Sequence, residues 1–306
     1  MRFLVFGAGG VGGYFGARLA AAGHDVAFIA RGAQRRAMAD KGLRVLSAKG
    51  DVLIEAPRVF EDPREAGPRD IVLLCVKMGD TRAAAEALLP ALAAATAVVS
   101  LQNGVEAEDI LAEVLGSDRV MGGVAYIAAR IAEPGVILHG GEMARVAFGE
   151  LDGAASPRQE ALLAAFRDAG VDAEAPKEIQ GRIWKKFALL APLAGATCLG
   201  RRPVGGVRDD PGLKAKLAAM VAEVAALGRA RGVGLEEGTE ARILDQVDRL
   251  PPDMKTSMLH DLEAGRALEL DWLNGAVVRL GRAAGIATPV NDEVVAALAP
   301  FASGAG

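Results

Sequence analysis

Cysteine and histidine are scarce in this chain, and their scarcity excludes two kinds of chemistry. Its two cysteines, Cys75 in an expected strand and Cys198 in an apolar helical stretch, read as buried reduced thiols and not as a disulfide framework. The three histidines, His24, His139 and His260, are scattered without ligand spacing. Each is expected at a turn or on the surface, and no metal site is expected. A strong charge of either sign is missing too. The net charge is −4 and no basic stripe stands out, which argues against nucleic acid or an anionic membrane as a partner. Nor is there an apolar run of bilayer length. The longest, Phe187 to Gly200, is broken by Pro192 and Gly195 and falls short of the roughly 20 residues a span needs. With the first expected strand beginning at residue 2, no stretch reads as a signal peptide, so the expected location is cytoplasmic.

What the chain has in plenty is core-forming residues, 51% hydrophobic against 24% charged. A length of 306 residues exceeds one usual compact domain, so two domains sharing a cleft are expected. The organising stretch is Gly7-Ala8-Gly9-Gly10-Val11-Gly12, which follows Arg2-Phe3-Leu4-Val5-Phe6 and runs into Tyr14-Phe15-Gly16-Ala17-Arg18-Leu19-Ala20. An apolar β-prone run, a glycine hinge and an alanine-rich helical run, in that order, predict the first strand, turn and helix of a dinucleotide-binding βαβ unit. Gly7 is expected to allow the tight turn, Gly9 to let backbone N–H groups approach a pyrophosphate, and Gly12 to bring the helix close to the strand. The diphosphate then sits at the positive N-terminus of the helix. Gly7, Ala8, Gly9, Gly10, Val11 and Gly12 are accordingly the candidate cofactor loop; a glycine-rich turn in an ordinary α/β domain is the alternative.

The second strand, Val26 to Ala30, ends at Arg31. An NAD site usually has an acidic residue here for the adenosine ribose, whereas a neutral residue followed by arginine suits a 2′-phosphate, so Arg31, backed by Arg35 and Arg36, points to NADP(H). Short β-prone pieces around Lys49-Gly50-Asp51 predict a hairpin within 43–60. The near-continuous apolar run Asp70 to Val76 predicts a central strand covered on both faces. Lys77 lies at its carboxyl end, where ligands of open α/β sheets bind. After a helix at 80–94, the strand Ala97 to Leu101 ends in Gln102-Asn103-Gly104, which makes Asn103 a candidate at a third strand end. Strands are then expected at 120–127, 136–139 and 144–148, broken by Glu133-Pro134-Gly135 and Gly140-Gly141, followed by a helix at 157–169 and a short strand at 171–175. Beyond Pro176 the periodicity turns helical: 178–200, 210–231, 238–249, 271–284 and 291–300. The expected architecture is α/β, with an N-terminal Rossmann-type dinucleotide-binding domain carrying a β-rich extension (1–175) and a mostly α-helical C-terminal substrate domain (176–306). Apolar faces in the helical domain are compatible with a homodimer, and core packing accounts for them equally well.

Reduction of a carbonyl needs a proton donor near the developing alkoxide. At Ile183-Trp184-Lys185-Lys186-Phe187, which opens the first long helix of the second domain, the sequence resembles the ketopantoate reductase (2-dehydropantoate 2-reductase) family. The motifs that carry the resemblance are the glycine loop, Arg31, Val76-Lys77, Leu101-Gln102-Asn103-Gly104 and Trp184-Lys185-Lys186. Thr256-Ser257-Met258-Leu259-His260-Asp261 and Glu269-Leu270-Asp271-Trp272-Leu273-Asn274-Gly275 complete the set, and together they span essentially the whole chain. The resemblance implies NADPH-dependent reduction of a small 2-oxo acid, ketopantoate to pantoate on the route to pantothenate. It also implies that Lys186 is the general acid, with a charge that attracts the growing oxyanion. By the same resemblance Glu269 orients the substrate or the lysine and Ser257 contacts the substrate. Asn103 lies by nicotinamide and substrate, Lys77 supports the cofactor end, and Asp261 supports the Ser257 loop.

The chain departs from the family pattern beside the lysine. The family usually has asparagines four and eight residues after it; here these are Leu190 and Ala194. The spacing places all three on one helical face, so the substrate-binding wall formed by Leu190 and Ala194 is expected to be apolar. Pro192 is expected to kink the helix, because it lacks an amide donor and crowds the preceding turn. Loss of two amides is expected to weaken recognition of ketopantoate itself. Three alternatives therefore stay open: a reductase of a different 2-oxo acid, a β-hydroxyacid dehydrogenase, and a non-catalytic NADP(H)-binding sensor.

Overall fold

The computed structural model describes residues 1–304, and the chain divides into two compact units. The first comprises Met1–Gln102 and Ala107–Ile179. It is built on one ten-stranded sheet. In chain order its elements are β1 (Arg2–Phe6), α1 (Gly10–Ala21), β2 (Asp25–Ile29), α2 (Gly32–Lys41), β3 (Leu43–Leu46), β4 (Val52–Ile54) and β5 (Arg58–Phe60). Then come β6 (Ile71–Leu74), α3 (Thr81–Leu88), β7 (Ala97–Ser100), α4 (Ala107–Leu115), β8 (Val120–Glu133), β9 (Val136–Glu150), α5 (Pro157–Asp168) and β10 (Asp172–Glu174). The sheet order is β4-β3-β9-β8-β7-β6-β1-β2-β5, with β10 beside β9. From β5 to β8 every pair is parallel. β1 shows why the run is apolar throughout. Alternate side chains enter opposite faces, and both faces are covered: Phe3 and Val5 join one core, Leu4 and Phe6 the other.

Two expectations are corrected here. Gly140-Gly141 does not break a strand, because β9 runs through it as one arm of a long antiparallel hairpin with β8. The glycines lie in an irregularity: Ile127 pairs with Ala144 and Ala129 with His139, so the segment 140–143 bulges out of register. The turn at Glu133-Pro134-Gly135 is where the chain reverses, with Gly135 at φ +84°. His139 is neither at a turn nor on the surface. It is buried, hydrogen-bonded through Nδ1 to the Ser47 hydroxyl at 2.8 Å and through Nε2 to the Met143 carbonyl, and it packs on the Tyr14 ring. The expected 49–51 hairpin is present as antiparallel β3 and β4. Both cysteines are free thiols.

The second unit comprises Asn103–Glu106 and the chain from Gln180 onward, and it is helical. Its elements are α6 (Ile179–Gly200), α7 (Val204–Arg208), α8 (Pro211–Ala230), α9 (Thr239–Arg249), α10 (Ser257–Glu263), α11 (Asn274–Ala284) and α12 (Pro289–Leu298). The α6 helix continues through Pro192, so the proline does not end it. Gly195 lets α6 approach α11 closely: a methyl there would stand 2.8 Å from the Asn274 side-chain nitrogen. Asn274, fully buried, donates in turn to Asn291 Oδ1 at 2.8 Å. No helix among the described residues is long and apolar enough to cross a membrane.

Candidate active site

In the first unit the glycine loop joins β1 to α1. Gly7 has φ +104°, a conformation that favours glycine, and a methyl there would press to 2.9 Å on the Cys75 carbonyl carbon. At Gly12 a methyl would fall 2.2 Å from the Gly7 carbonyl oxygen and 2.8 Å from Val5, so the absence of a side chain sets the helix against the strand. Gly9 is different: a methyl there would meet nothing within 4 Å. No side chain caps α1 and its first turn holds no acidic residue, so the positive end of the helix is left for an anion. A cradle with open space before Gly9 and an uncapped helix end fits the diphosphate of a dinucleotide. Gly7, Ala8, Gly9, Gly10, Val11 and Gly12 are the residues that would hold it.

Arg31 is exposed at the start of α2, in extended conformation at φ −128°. Of the two arginines behind it, Arg35 lies 3.8 Å from the Glu61 carboxylate, while Arg36 is exposed. Lys77 is exposed just past β6, at the parallel strands' carboxyl ends. Beside it stands a residue to which sequence reasoning gave no role. Gln102 is buried and binds three groups: Nε2 donates to the Val76 carbonyl at 3.1 Å and the Thr81 hydroxyl at 2.8 Å, and Oε1 accepts from the Ser100 hydroxyl. It locks the end of β7 to the end of β6. Another buried polar group, Glu108 on α4, accepts from backbone N–H groups of its own residue and Gly123. Burial nevertheless pushes its carboxyl up to about 7.

In the second unit the structure brings together Asn103, Lys186 and Glu269. Lys186 Nζ donates to Asn103 Oδ1 at 2.7 Å. Burial pushes the Lys186 ammonium down to about 8, and the Glu269 carboxylate acts in the opposite direction, favouring the charge. Lys185, by contrast, is exposed. The segment that carries Asn103 is tied down by contacts the sequence did not disclose. Arg279 on α11 donates to Glu106 Oε2 at 2.7 Å and to the Asp271 carbonyl at 2.8 Å, joining the segment 103–106 to the turn that follows Glu269.

Ser257 is the exposed first residue of α10. Its neighbour Thr256 caps that helix by accepting from the Leu259 N–H, and its hydroxyl is 2.9 Å from that of Thr197 on α6. Thr197 lies eleven residues past Lys186, close to the same helical face. Between them are Leu190, half-buried, and Ala194, which is 1% exposed. Leu190 is thus partly open at the surface, whereas Ala194 lies beneath it. Asp261 is buried and paired with Arg266 at 2.8 Å. No cluster of metal-ligating side chains occurs among the described residues.

Two family models account for nearly the whole chain. That for ketopantoate reductase PanE/ApbA matches residues 3–153, and that for its C-terminal part matches residues 178–302. The chain belongs to the ketopantoate reductase family. A 2-dehydropantoate 2-reductase of Archaeoglobus fulgidus is 35% identical over 96% of this chain and 95% of its own. The crystal structure of a ketopantoate reductase from Ralstonia eutropha superposes with a TM-score of 0.90 at 34% identity, covering 98% of each chain. At 20% identity, D-mandelate dehydrogenase solved with NADH and anilino(oxo)acetate shares the fold, with a TM-score of 0.88. As a ketopantoate reductase family member the chain is an oxidoreductase, with the Rossmann-type first unit and helical second unit that its motifs led one to expect.

Proposed function

We propose that this protein reduces a small 2-oxo acid to the 2-hydroxy acid with NADPH, the family's ketopantoate-to-pantoate reaction being its reference. When bound, the reduced nicotinamide supplies the hydride. The glycine loop holds the diphosphate, Arg31 favours a 2′-phosphate, and Lys77 supports the same cofactor. Lys186 gives its Nζ proton to the carbonyl oxygen and, while charged, draws the growing negative charge. Asn103 and Glu269 keep that ammonium in place, the first by its hydrogen bond and the second by its charge. Ser257 contacts the substrate. The observation that carries this reading is the Lys186 ammonium, pushed down to about 8, where it is charged at neutral pH yet gives up its proton readily, and hydrogen-bonded at 2.7 Å to Asn103.

One observation favours a second reading that keeps the chemistry and changes the substrate. Leu190, one turn past Lys186 and partly exposed, offers a methyl surface where a hydroxyl of ketopantoate would need an amide. A 2-oxo acid with an apolar side chain then becomes the better substrate. Initial rates of NADPH consumption with ketopantoate and with its analogue lacking the terminal hydroxyl test both readings. Turnover of either supports the reductase; a higher kcat/KM for the analogue selects the second reading. Failure to turn over any 2-oxo acid refutes both.

A further inference from the structure

Gln34 lies on α2, three residues past Arg31, and is half-buried. Its side-chain amide is engaged at both ends: Nε2 donates to the Ala8 carbonyl at 2.9 Å, and Oε1 accepts from the Gly135 N–H at 2.9 Å. The two bonds fix which way round the amide sits. Rotated by half a turn, it would set nitrogen against an N–H and oxygen against a carbonyl. Ala8 belongs to the glycine loop and Gly135 to the turn between β8 and β9.

Among the described residues no peptide bond is cis, and across a trans peptide the carbonyl and the following N–H point in opposite directions. A carbonyl of Ala8 held by Gln34 therefore turns the Gly9 N–H away from α2. The two amides before it are already engaged, since Gly7 and Ala8 both donate to the Ile29 carbonyl at 3.1 Å. Gly9 is thus the first residue of the loop whose N–H is not committed to that carbonyl, and the space around its Cα is open. We infer that Gln34 is a positioning residue of the dinucleotide site, aiming the Gly9 N–H at the diphosphate while tying the loop to the β8–β9 turn. The inference rests on the dinucleotide reading above and adds a residue outside the glycine motif.

The test is the Gln34→Met variant, which keeps the length of the side chain and removes both hydrogen bonds. The Kd for NADPH, read from the fluorescence of the bound cofactor, rises about 5- to 20-fold, the usual weight of one or two such bonds. The loss falls on KM for NADPH and not on kcat. Adenosine 2′-monophosphate, which has the phosphate suited to Arg31 but no diphosphate, binds variant and wild type alike. An unchanged Kd for NADPH, or an equal loss for both ligands, overturns the inference, the latter because it describes a general disturbance of the unit. A measurement on the wild type serves if the variant does not fold: in protein labelled with nitrogen-15 glycine, NADP+ must move the Gly9 amide resonance, and an unmoved Gly9 is equally fatal. Wild type that binds neither NADPH nor NADH is a different result, and it overturns the dinucleotide reading along with this one.

Discussion

The proton donor makes a prediction in which the sign is set by the structure. Lys186 titrates near 8 where an ordinary lysine titrates near 10.5, with burial lowering it and Glu269 holding it up. With that value about nine-tenths of the free enzyme carries the ammonium at pH 7 and about one-tenth at pH 9. The kcat/KM for the 2-oxo acid, measured at saturating NADPH across pH 6 to pH 10, should therefore be level at the acid end of the range and fall about tenfold per unit beyond the lysine's value. Glu269→Gln removes the influence that raises it. Its limb should move to lower pH by roughly one unit, the effect of losing a single neighbouring charge. Lys186→Ala should lower kcat by about a hundredfold or more with no alkaline limb left. The same depressed value bears on stability. Stability linked to this group is present above 10.5 and lost as pH falls through about 8, so at neutral pH the buried charge is a burden and Lys186→Met should raise Tm while abolishing turnover. A limb that stays in place or moves to higher pH in Glu269→Gln refutes the reasoning, as does a wild-type profile flat through pH 9.

Four further expectations concern the first unit. Gly9→Ala should keep the wild-type Tm, since its methyl meets nothing within 4 Å, yet weaken NADPH binding in calorimetry. Gly12→Ala, with its methyl 2.2 Å from a carbonyl oxygen, should lose about 1–3 kcal/mol of stability or more in urea unfolding. Arg31→Ala should raise the Kd for NADPH by about 10- to 100-fold, the weight of a charge-assisted hydrogen bond, and leave NADH nearly unaffected; equal effects on both would remove the 2′-phosphate from the account. Glu108 takes up a proton on folding, and the stability this brings is fully present below about 4.5 and lost as pH rises through about 7. Glu108→Gln should thus raise Tm at pH 8 and change it little at pH 4.5, and a gain larger at the acid end would contradict the burial argument.

How far the sequence disclosed all this depended on the range of each interaction. β1, α1 and β2 were legible because an apolar strand, a glycine hinge and a helical run are local patterns, and the approach of Gly12 to Gly7 and Val5 joins neighbours close in the chain, whereas the approach of Gly7 to Cys75 spans 68 positions and was not legible. The hairpin was misread at Gly140-Gly141, where glycine is normal turn chemistry; the structure absorbs the pair as a bulge because β8 supplies the pairing on both sides of it. His139 looked like a surface residue because its partner Ser47 is 92 positions away. Gln34 left no signal at all, its two partners being 26 and 101 residues distant. Asn103 stood out from its strand end alone. Lys186, 83 residues further on, did not, because a lysine on a helix is usually solvated and only family likeness marked it.

The most direct measurement is NADPH consumption in the presence of a panel of 2-oxo acids that includes ketopantoate and its analogue lacking the terminal hydroxyl, run with wild type and with Lys186→Ala. The account predicts consumption matched by the 2-hydroxy acid formed, lost by about a hundredfold or more in the variant. NADPH that binds but is never consumed with any 2-oxo acid, or a variant that turns over as fast as wild type, would contradict it.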